Sequence, residues 1–248
     1  MYRLEDLVEG VLIKRLNRFV VEVSVNNMRE LAHNTNTGRL TDFLVSGRRV
    51  LLERIGSKRS RTSYRLIGVE DPVERDFAVI DTLTQNKVFE TLVNNNYLPW
   101  LRGCRVASRN PVYEDAKLDF LVECPGRRYL IETKSAVLRG ERNEAMYPDC
   151  PTERGRRHIK RLIEMTRDRE YEPMIVFIAA MKNTRCFKPY RDGDKIVEEL
   201  VAEAIRAGVS VKALSIYMKR EGHIILDNPD VEICIDWLEE HGIPRPRY

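Results

Sequence analysis

One Asp, one Glu and one Lys stand where two short apolar runs can bring them together. The runs are Leu118-Asp119-Phe120-Leu121-Val122 and Leu130-Ile131-Glu132-Thr133-Lys134, with Pro125-Gly126 between them. Both runs read as strands, and Pro-Gly reads as the reversal that pairs them. A loop symmetric about Pro125-Gly126 makes cross-strand partners sum to 251, so Asp119 falls opposite Glu132. Strand periodicity puts Lys134 on the face of Glu132, and Ile131 and Thr133 on the other. Two carboxylates so placed repel by roughly 0.2 to 1 kcal/mol, a cost that a divalent cation between them removes. Mg²⁺ is held by few carboxylates together with waters and phosphate oxygens, and a bound metal makes hydroxide accessible near neutral pH. The chemistry in outline is metal-assisted hydrolysis of a phosphate ester. A Glu-x-Lys at a strand end is also the ordinary sequence of a solvated cross-strand ion pair, so the surrounding residues carry the choice between the two.

An Asp, about a dozen residues, then Glu-x-Lys after an apolar strand resembles the core of the PD-(D/E)XK nuclease superfamily. That resemblance implies that Asp119, Glu132 and the backbone carbonyl of Thr133 hold Mg²⁺ or Mn²⁺, while Lys134 orients the attacking water and stabilises developing charge. Three further stretches resemble the sugar fermentation stimulation protein family in the same order along the chain: Ile13-Lys14-Arg15-Leu16-Asn17-Arg18-Phe19, Asn36-Thr37-Gly38-Arg39-Leu40, and Tyr147-Pro148-Asp149-Cys150-Pro151-Thr152-Glu153-Arg154-Gly155-Arg156-Arg157-His158. The likeness covers nearly the whole chain. It implies an OB-like barrel joined to a PD-(D/E)XK-type domain, DNA binding with little sequence preference, and a link to sugar metabolism. Val106-Ala107-Ser108-Arg109 offers no Glu ahead of the Asp-Phe strand, so any further carboxylate comes from Glu90, Glu114 or Asp115.

A second chemical feature follows Thr152, which reads as a helix cap. Arg154, Arg156, Arg157, Lys160 and Arg161 crowd into eight residues without an acid. Arg154, His158 and Arg161 lie at i, i+4 and i+7 and form one cationic stripe. Such a stripe holds backbone phosphates beside the hairpin, with His158 as donor or weak acid; a solvated helical face carries the same pattern. Asp149 supports the approach to this helix. Asn36 and Thr37, with Arg39 behind them, could offer a phosphate their amides and side chains, although an Asn-Thr-Gly run is commonly a turn. Lys14, Arg15 and Arg18 surround Phe19 as cations surround an aromatic in single-strand grooves, while Phe19 itself reads as barrel core.

The elements that must position these groups are legible in outline. Short alternating runs at Val11 to Arg15, Phe19 to Val25, Arg29 to Ala32, Arg48 to Glu53 and Tyr64 to Val69 suggest a small barrel of the OB type. Charge and a proline break the pattern at Glu70-Asp71-Pro72-Val73-Glu74. Beyond it, helices are expected over Thr84 to Asn95, after Thr152, and over Asp194 to Ala207 before Gly208. Buried strands are expected over Met174 to Met181 and Val209 to Tyr217.

Residues 1–68 hold 13 Lys and Arg against 7 Asp and Glu, a balance of +6 in a chain whose net charge is +4, so the basicity belongs to the N-terminal part. That asymmetry favours a polyanion partner. The composition, 43% apolar and 32% charged, is that of a folded chain with a solvated surface. Its longest strongly apolar run, Met174 to Met181, is too short to span a bilayer, and no signal-peptide core stands at the start; no membrane partner is expected and the location reads as cytoplasmic. Five cysteines, without a C-x-x-C, suggest neither a disulfide framework nor a zinc ribbon, and each reads as a small buried hydrophobe.

The reading is therefore α/β and β: an OB-like β-barrel over 1–72, followed over 73–248 by a PD-(D/E)XK nuclease-like mixed sheet flanked by helices. The function it points to is nucleic-acid binding, DNA more than RNA, with Mg²⁺-dependent phosphodiester hydrolysis at Asp119, Glu132 and Lys134. Its rival is a catalytically silent DNA-binding factor affecting sugar-metabolism genes.

Overall fold

The structure, a computed structural model, describes residues 2–56, 61–167 and 170–245. Val20–Val25 alternates half-buried and fully buried positions, so Val21, Val23 and Val25 face inward while Glu22 and Ser24 face out. It pairs antiparallel with Val8–Arg15 on one side and Met28–His33 on the other. Arg49–Arg54 adds to the far edge of Val8–Arg15, and Tyr64–Glu70 follows it. Tyr64–Glu70 then meets Met28–His33 in parallel, Ala32 against Tyr64 and His33 against Arg65, which closes the N-terminal barrel. Five of its strands coincide with the expected runs to within a few residues.

The barrel does not end where the charge pattern breaks. Phe77–Val79 pairs with Tyr64–Glu70 on one side and with the strand Ser210–Met218 on the other, so one hydrogen-bonded sheet runs from barrel to second half. That half centres on three parallel strands, Arg127–Ser135, Glu172–Ala179 and Ser210–Met218. Glu172–Ala179 is buried from its second residue to its last, as a strand covered on both faces must be. Phe120–Cys124 and Arg105–Arg109 extend the sheet antiparallel from Arg127–Ser135.

Three helices flank the sheet. The first, α1 (Thr82–Asn94), starts at Asp81, whose carboxylate accepts from the Thr84 amide. α2 (Glu153–Met165) starts at Thr152, whose hydroxyl accepts from the Gly155 amide. α3 (Lys195–Ala207) starts at Asp194 and stops at Gly208, whose φ of 96° is the left-handed conformation that ends a helix cheaply only at glycine.

Two sequence expectations need correction here. Cys104 is bonded to Cys124 and Cys186 to Cys234, leaving only Cys150 free. These pairs join residues 20 and 48 positions apart, a juxtaposition made by the sheet that spacing alone cannot show. Phe19 is not barrel core: it is 50% exposed beside exposed Arg18, because it lies in the turn ahead of the strand at Val20. Among the described residues no helix is long and apolar enough to cross a membrane.

Candidate metal centre

The Asp119 hairpin has the register that its loop demands. Phe120 pairs with Ile131 and Cys124 with Arg127, the same sum of 251, which sets Asp119 against Glu132 at the open end. Asp119 itself precedes the first ladder residue, Phe120, and its side chain is free to turn. Its Oδ2 accepts from the Thr133 amide at 2.8 Å and the Thr133 hydroxyl at 2.6 Å, and its Oδ1 from Asn86 Nδ2 at 3.2 Å. The hydroxyl also lies 2.8 Å from Asn86 Oδ1. Thr133 therefore holds Asp119 through its side chain and amide, and does not simply point away as strict alternation expects. Asn86, on α1, was not singled out in the sequence, where nothing distinguishes it from other helical polar residues.

Glu132 lies in a buried cluster with Lys134 and His158, all three less than 10% exposed. Lys134 Nζ donates to Glu132 Oε1 at 2.6 Å, and His158 Nδ1 lies 2.5 Å from the same oxygen. Glu132 Oε2 is buried and has no hydrogen-bond partner. An orphaned carboxylate oxygen costs about 1–3 kcal/mol or more, and Glu132 Oε2 is the one carboxylate oxygen of this cluster without a partner.

Electrostatics separate the two acids. Burial, then the charge of Glu132, push the Asp119 carboxyl above the usual aspartate range against the Thr133 hydrogen bonds. Burial also opposes ionisation of Glu132, but Lys134 and His158 outweigh it and hold that carboxyl below its ordinary range. The Lys134 ammonium, disfavoured by burial, is held above its ordinary value by Glu132, Tyr147 and Asp119. The cluster thus keeps Glu132 ionised and Lys134 charged, and leaves Asp119 carrying the repulsion.

Asp119, Glu132 and Thr133 line one cavity of about 470 Å³. A second, of about 240 Å³, lies between the barrel loop at Asn36 and the segment from Met146 to Thr152, and Lys134 lines it. A third, of about 400 Å³, runs along α2 at Arg157, His158 and Arg161. Arg154 lines all three. It is exposed, and its side chain makes no ion pair or hydrogen bond among the described residues.

The remaining candidates divide. Arg161 joins Glu114, Asp115 and Glu164, so three acids already occupy the guanidinium expected to hold phosphate. Glu90 pairs with Arg109, and Glu114 and Asp115 pair with Arg161. His158 faces Glu132 and not the solvent stripe. Arg15 donates to the carbonyls of Asn17, Arg18, Gly38 and Arg39, tying the turn before Phe19 to the Asn36 loop. Lys14 is exposed, 3.8 Å from Glu22, and Arg18 and Arg39 are exposed. Asn36 is buried and donates to Ser135 Oγ at 3.1 Å, while Thr37 is exposed at the mouth of the second cavity. Asp149 Oδ2 accepts from the Leu40 amide at 2.7 Å and so latches the barrel loop to the segment before α2.

Comparison with known proteins agrees with this architecture along most of the chain. Residues 13–80 match a family model described as the SfsA N-terminal OB domain, and residues 83–222 one described as the sugar fermentation stimulation protein RE domain. The two matches meet between residues 80 and 83, just after the strand Phe77–Val79. A sugar fermentation stimulation protein homolog of Pyrococcus furiosus is 45% identical over 87% of this chain and 91% of its own. One of Archaeoglobus fulgidus is 35% identical over 95% and 99%. The solved structure of Pyrococcus furiosus SfsA in complex with Ca²⁺ superposes with a TM-score of 0.88 at 41% identity, covering 94% of this chain and 98% of that one. With an N-terminal barrel, a nuclease-like second half and relatives of this identity over nearly full length, the chain belongs to the sugar fermentation stimulation protein family.

Proposed function

We propose that this protein binds nucleic acid, DNA in preference to RNA and with little sequence preference, and hydrolyses its phosphodiester bonds with the help of Mg²⁺ or Mn²⁺ at Asp119 and Glu132. The single observation that carries the reading is Glu132 Oε2, a buried carboxylate oxygen without a hydrogen-bond partner, on a residue that lines the same cavity as Asp119. The donor set fits a hard divalent cation: two carboxylates, with the remaining positions left for water and phosphate, is how Mg²⁺ is commonly held. The Ca²⁺ complex of the Pyrococcus furiosus relative supports the same class of ion.

When bound, the ion supplies Lewis acidity to a phosphoryl oxygen and acidifies a water. The chain's own residues prepare the rest. Thr133 and Asn86 fix the direction of Asp119. Lys134 and His158 keep Glu132 ionised, and Lys134 stays charged where negative charge grows on the phosphoryl oxygens. Arg154 meets the backbone phosphate at the junction of the cavities, and exposed Arg157 and Lys160 extend that cationic track along α2.

Nucleic-acid binding without turnover is a second reading, favoured by one observation: Glu132 Oε1 is already engaged by both Lys134 and His158, a cluster that can serve the fold without a metal. Labelled random-sequence DNA and RNA, incubated with Mg²⁺, Mn²⁺ or chelator, separate the two. Wild type should cut only with metal, Glu132→Ala should lose both cutting and metal-induced thermal stabilisation, and Lys134→Ala should keep a metal response without cutting. Metal-induced stabilisation of wild type with no cleavage of any substrate would hand the case to the silent reading.

A further inference from the structure

We propose that the cavity between the barrel loop Asn36–Leu40 and the segment Met146–Thr152 takes the base of one unpaired nucleotide whose phosphate lies at the Asp119 and Glu132 centre. The inference rests on the phosphodiesterase reading of that centre and adds a demand on the substrate: the nucleotide beside the cut must be able to leave its partner.

Size is the first argument. At about 240 Å³ the cavity is smaller than the roughly 300–1,000 Å³ of pockets for drug-sized ligands, so it suits one flat ring system and excludes a base pair. Its lining is the second. Leu138, Met146 and Pro148 offer an apolar wall, and Asn36, Thr37 and Asp149 a polar one. A nucleobase has the same division, apolar faces and an edge of donors and acceptors. Asp149 can accept from an exocyclic amine at the base edge, while Lys134 and Arg154, which also line the cavity, can meet the phosphate beside it.

Continuity is the third argument. Thr82, Thr133, Ser135 and Arg154 line both this cavity and the one that holds Asp119 and Glu132. One nucleotide can therefore place its base in the first and its phosphate in the second, with Arg154 between. The cavity is also preformed. Asn36 donates to Ser135, accepts from the Gly38 amide and receives Asn34 Nδ2 at its carbonyl. A Cβ on Gly38 would come within 2.6 Å of both Asp149 carboxylate oxygens, so a larger residue there would have to displace the side chain that latches the loop through the Leu40 amide. Unpairing a base costs free energy, least where the base is already mismatched or single-stranded, which makes unpaired substrates the preferred ones.

Cys150 gives a direct readout, since it lines the cavity and is the only cysteine outside a disulfide. The full-length protein, in chelator so that no hydrolysis is needed, is alkylated with a maleimide alone, with a short single-stranded oligodeoxynucleotide, and with an all-abasic strand of the same length. The base-bearing strand at about ten times its Kd should slow alkylation about tenfold by simple occupancy, and the abasic strand should leave it unchanged. Thr37→Trp, which fills the cavity from an exposed position, should abolish that protection. Equal protection by both strands, or none from a base-bearing strand that anisotropy shows to be bound, overturns the proposal, as does failure of the single strand to bind. Base-dependent protection in a protein that cleaves nothing would leave the cavity assigned and sink only the phosphodiesterase reading. Metal-dependent cleavage without protection would do the reverse.

Discussion

Two buried carboxylates in the second half of the chain receive their neighbours' charge in opposite ways. Asp194 is saturated: its Oδ1 accepts from the amides of Ile196 and Val197, its Oδ2 from the amide of Thr152, and Arg156 Nε reaches both oxygens. One residue thereby caps α3 and ties it to the start of α2. Glu132 is as deeply buried, yet Lys134 and His158 crowd onto a single oxygen and the other is left empty. A buried carboxylate oxygen without a hydrogen-bond partner forfeits stability, which Asp194 avoids and which Glu132 Oε2 and, in the barrel, Glu22 Oε2 do not. Glu132 Oε2 is thus the oxygen at which an added cation would gain most, in keeping with the metal site proposed above.

Breaking the Glu132 network should have the largest effect on stability. Glu132→Gln leaves the Lys134 ammonium buried without its counter-charge, and a loss of about 3–5 kcal/mol is expected in urea unfolding with chelator present. Adding Lys134→Met should recover much of that loss, since the stranded charge goes with it. If the single variant unfolds like wild type, the cluster is not the closed ion pair described above.

The saturated carboxylate should give a smaller and metal-independent effect. Asp194→Ala removes a helix cap and an ion pair, for about 2 kcal/mol at the upper end of cap losses, and the stabilisation by Mg²⁺ should be untouched. Burial alone would raise the Asp194 pKa, but Arg156 and the amides of Thr152 and Val197 hold it below the usual aspartate range. A depressed folded pKa contributes stability above the unfolded value of about 3.9 that is lost as pH falls through the folded one. Wild type should thus lose stability more steeply than Asp194→Ala below about pH 4, and parallel acid titrations would remove this assignment.

The two arginines of the α2 stripe sharpen the same contrast between satisfied and unsatisfied groups. Arg154→Ala should weaken DNA binding uniformly across sequences and reduce the salt slope by about 1. Arg161→Ala should change neither, because its acids already neutralise it; equal losses from both would show that those ion pairs open on binding. The smallest effect is expected at Asp119→Asn. Relief of the repulsion from Glu132 should stabilise the chelated protein at neutral pH by about 0.2 to 1 kcal/mol, while the response to Mg²⁺ falls. Destabilisation instead would mean that the hydrogen bonds from Thr133 need the full charge.

Much of this site is written locally. The Pro125-Gly126 reversal sets the register that brings Asp119 to Glu132, and alternation along Val20–Val25 separates its inner from its outer residues. Thr152 and Asp194 announce their helices by the cap chemistry of short polar side chains. These features depend on a residue's own chain neighbours, and those neighbours are what a sequence displays. The rest was decided in three dimensions. That His158 faces Glu132 while Arg161, three residues on, faces Glu114 and Asp115 depends on how α2 rolls against the sheet. Asn86 meets Asp119, and Asn36 meets Ser135 across 99 positions of chain; the four paired cysteines meet through sheet order and docking in the same way. Spacing carries information over a few residues because strand and helix geometry repeat with short periods, whereas contacts across a fold are set by which apolar faces bury each other, and only packing resolves that choice.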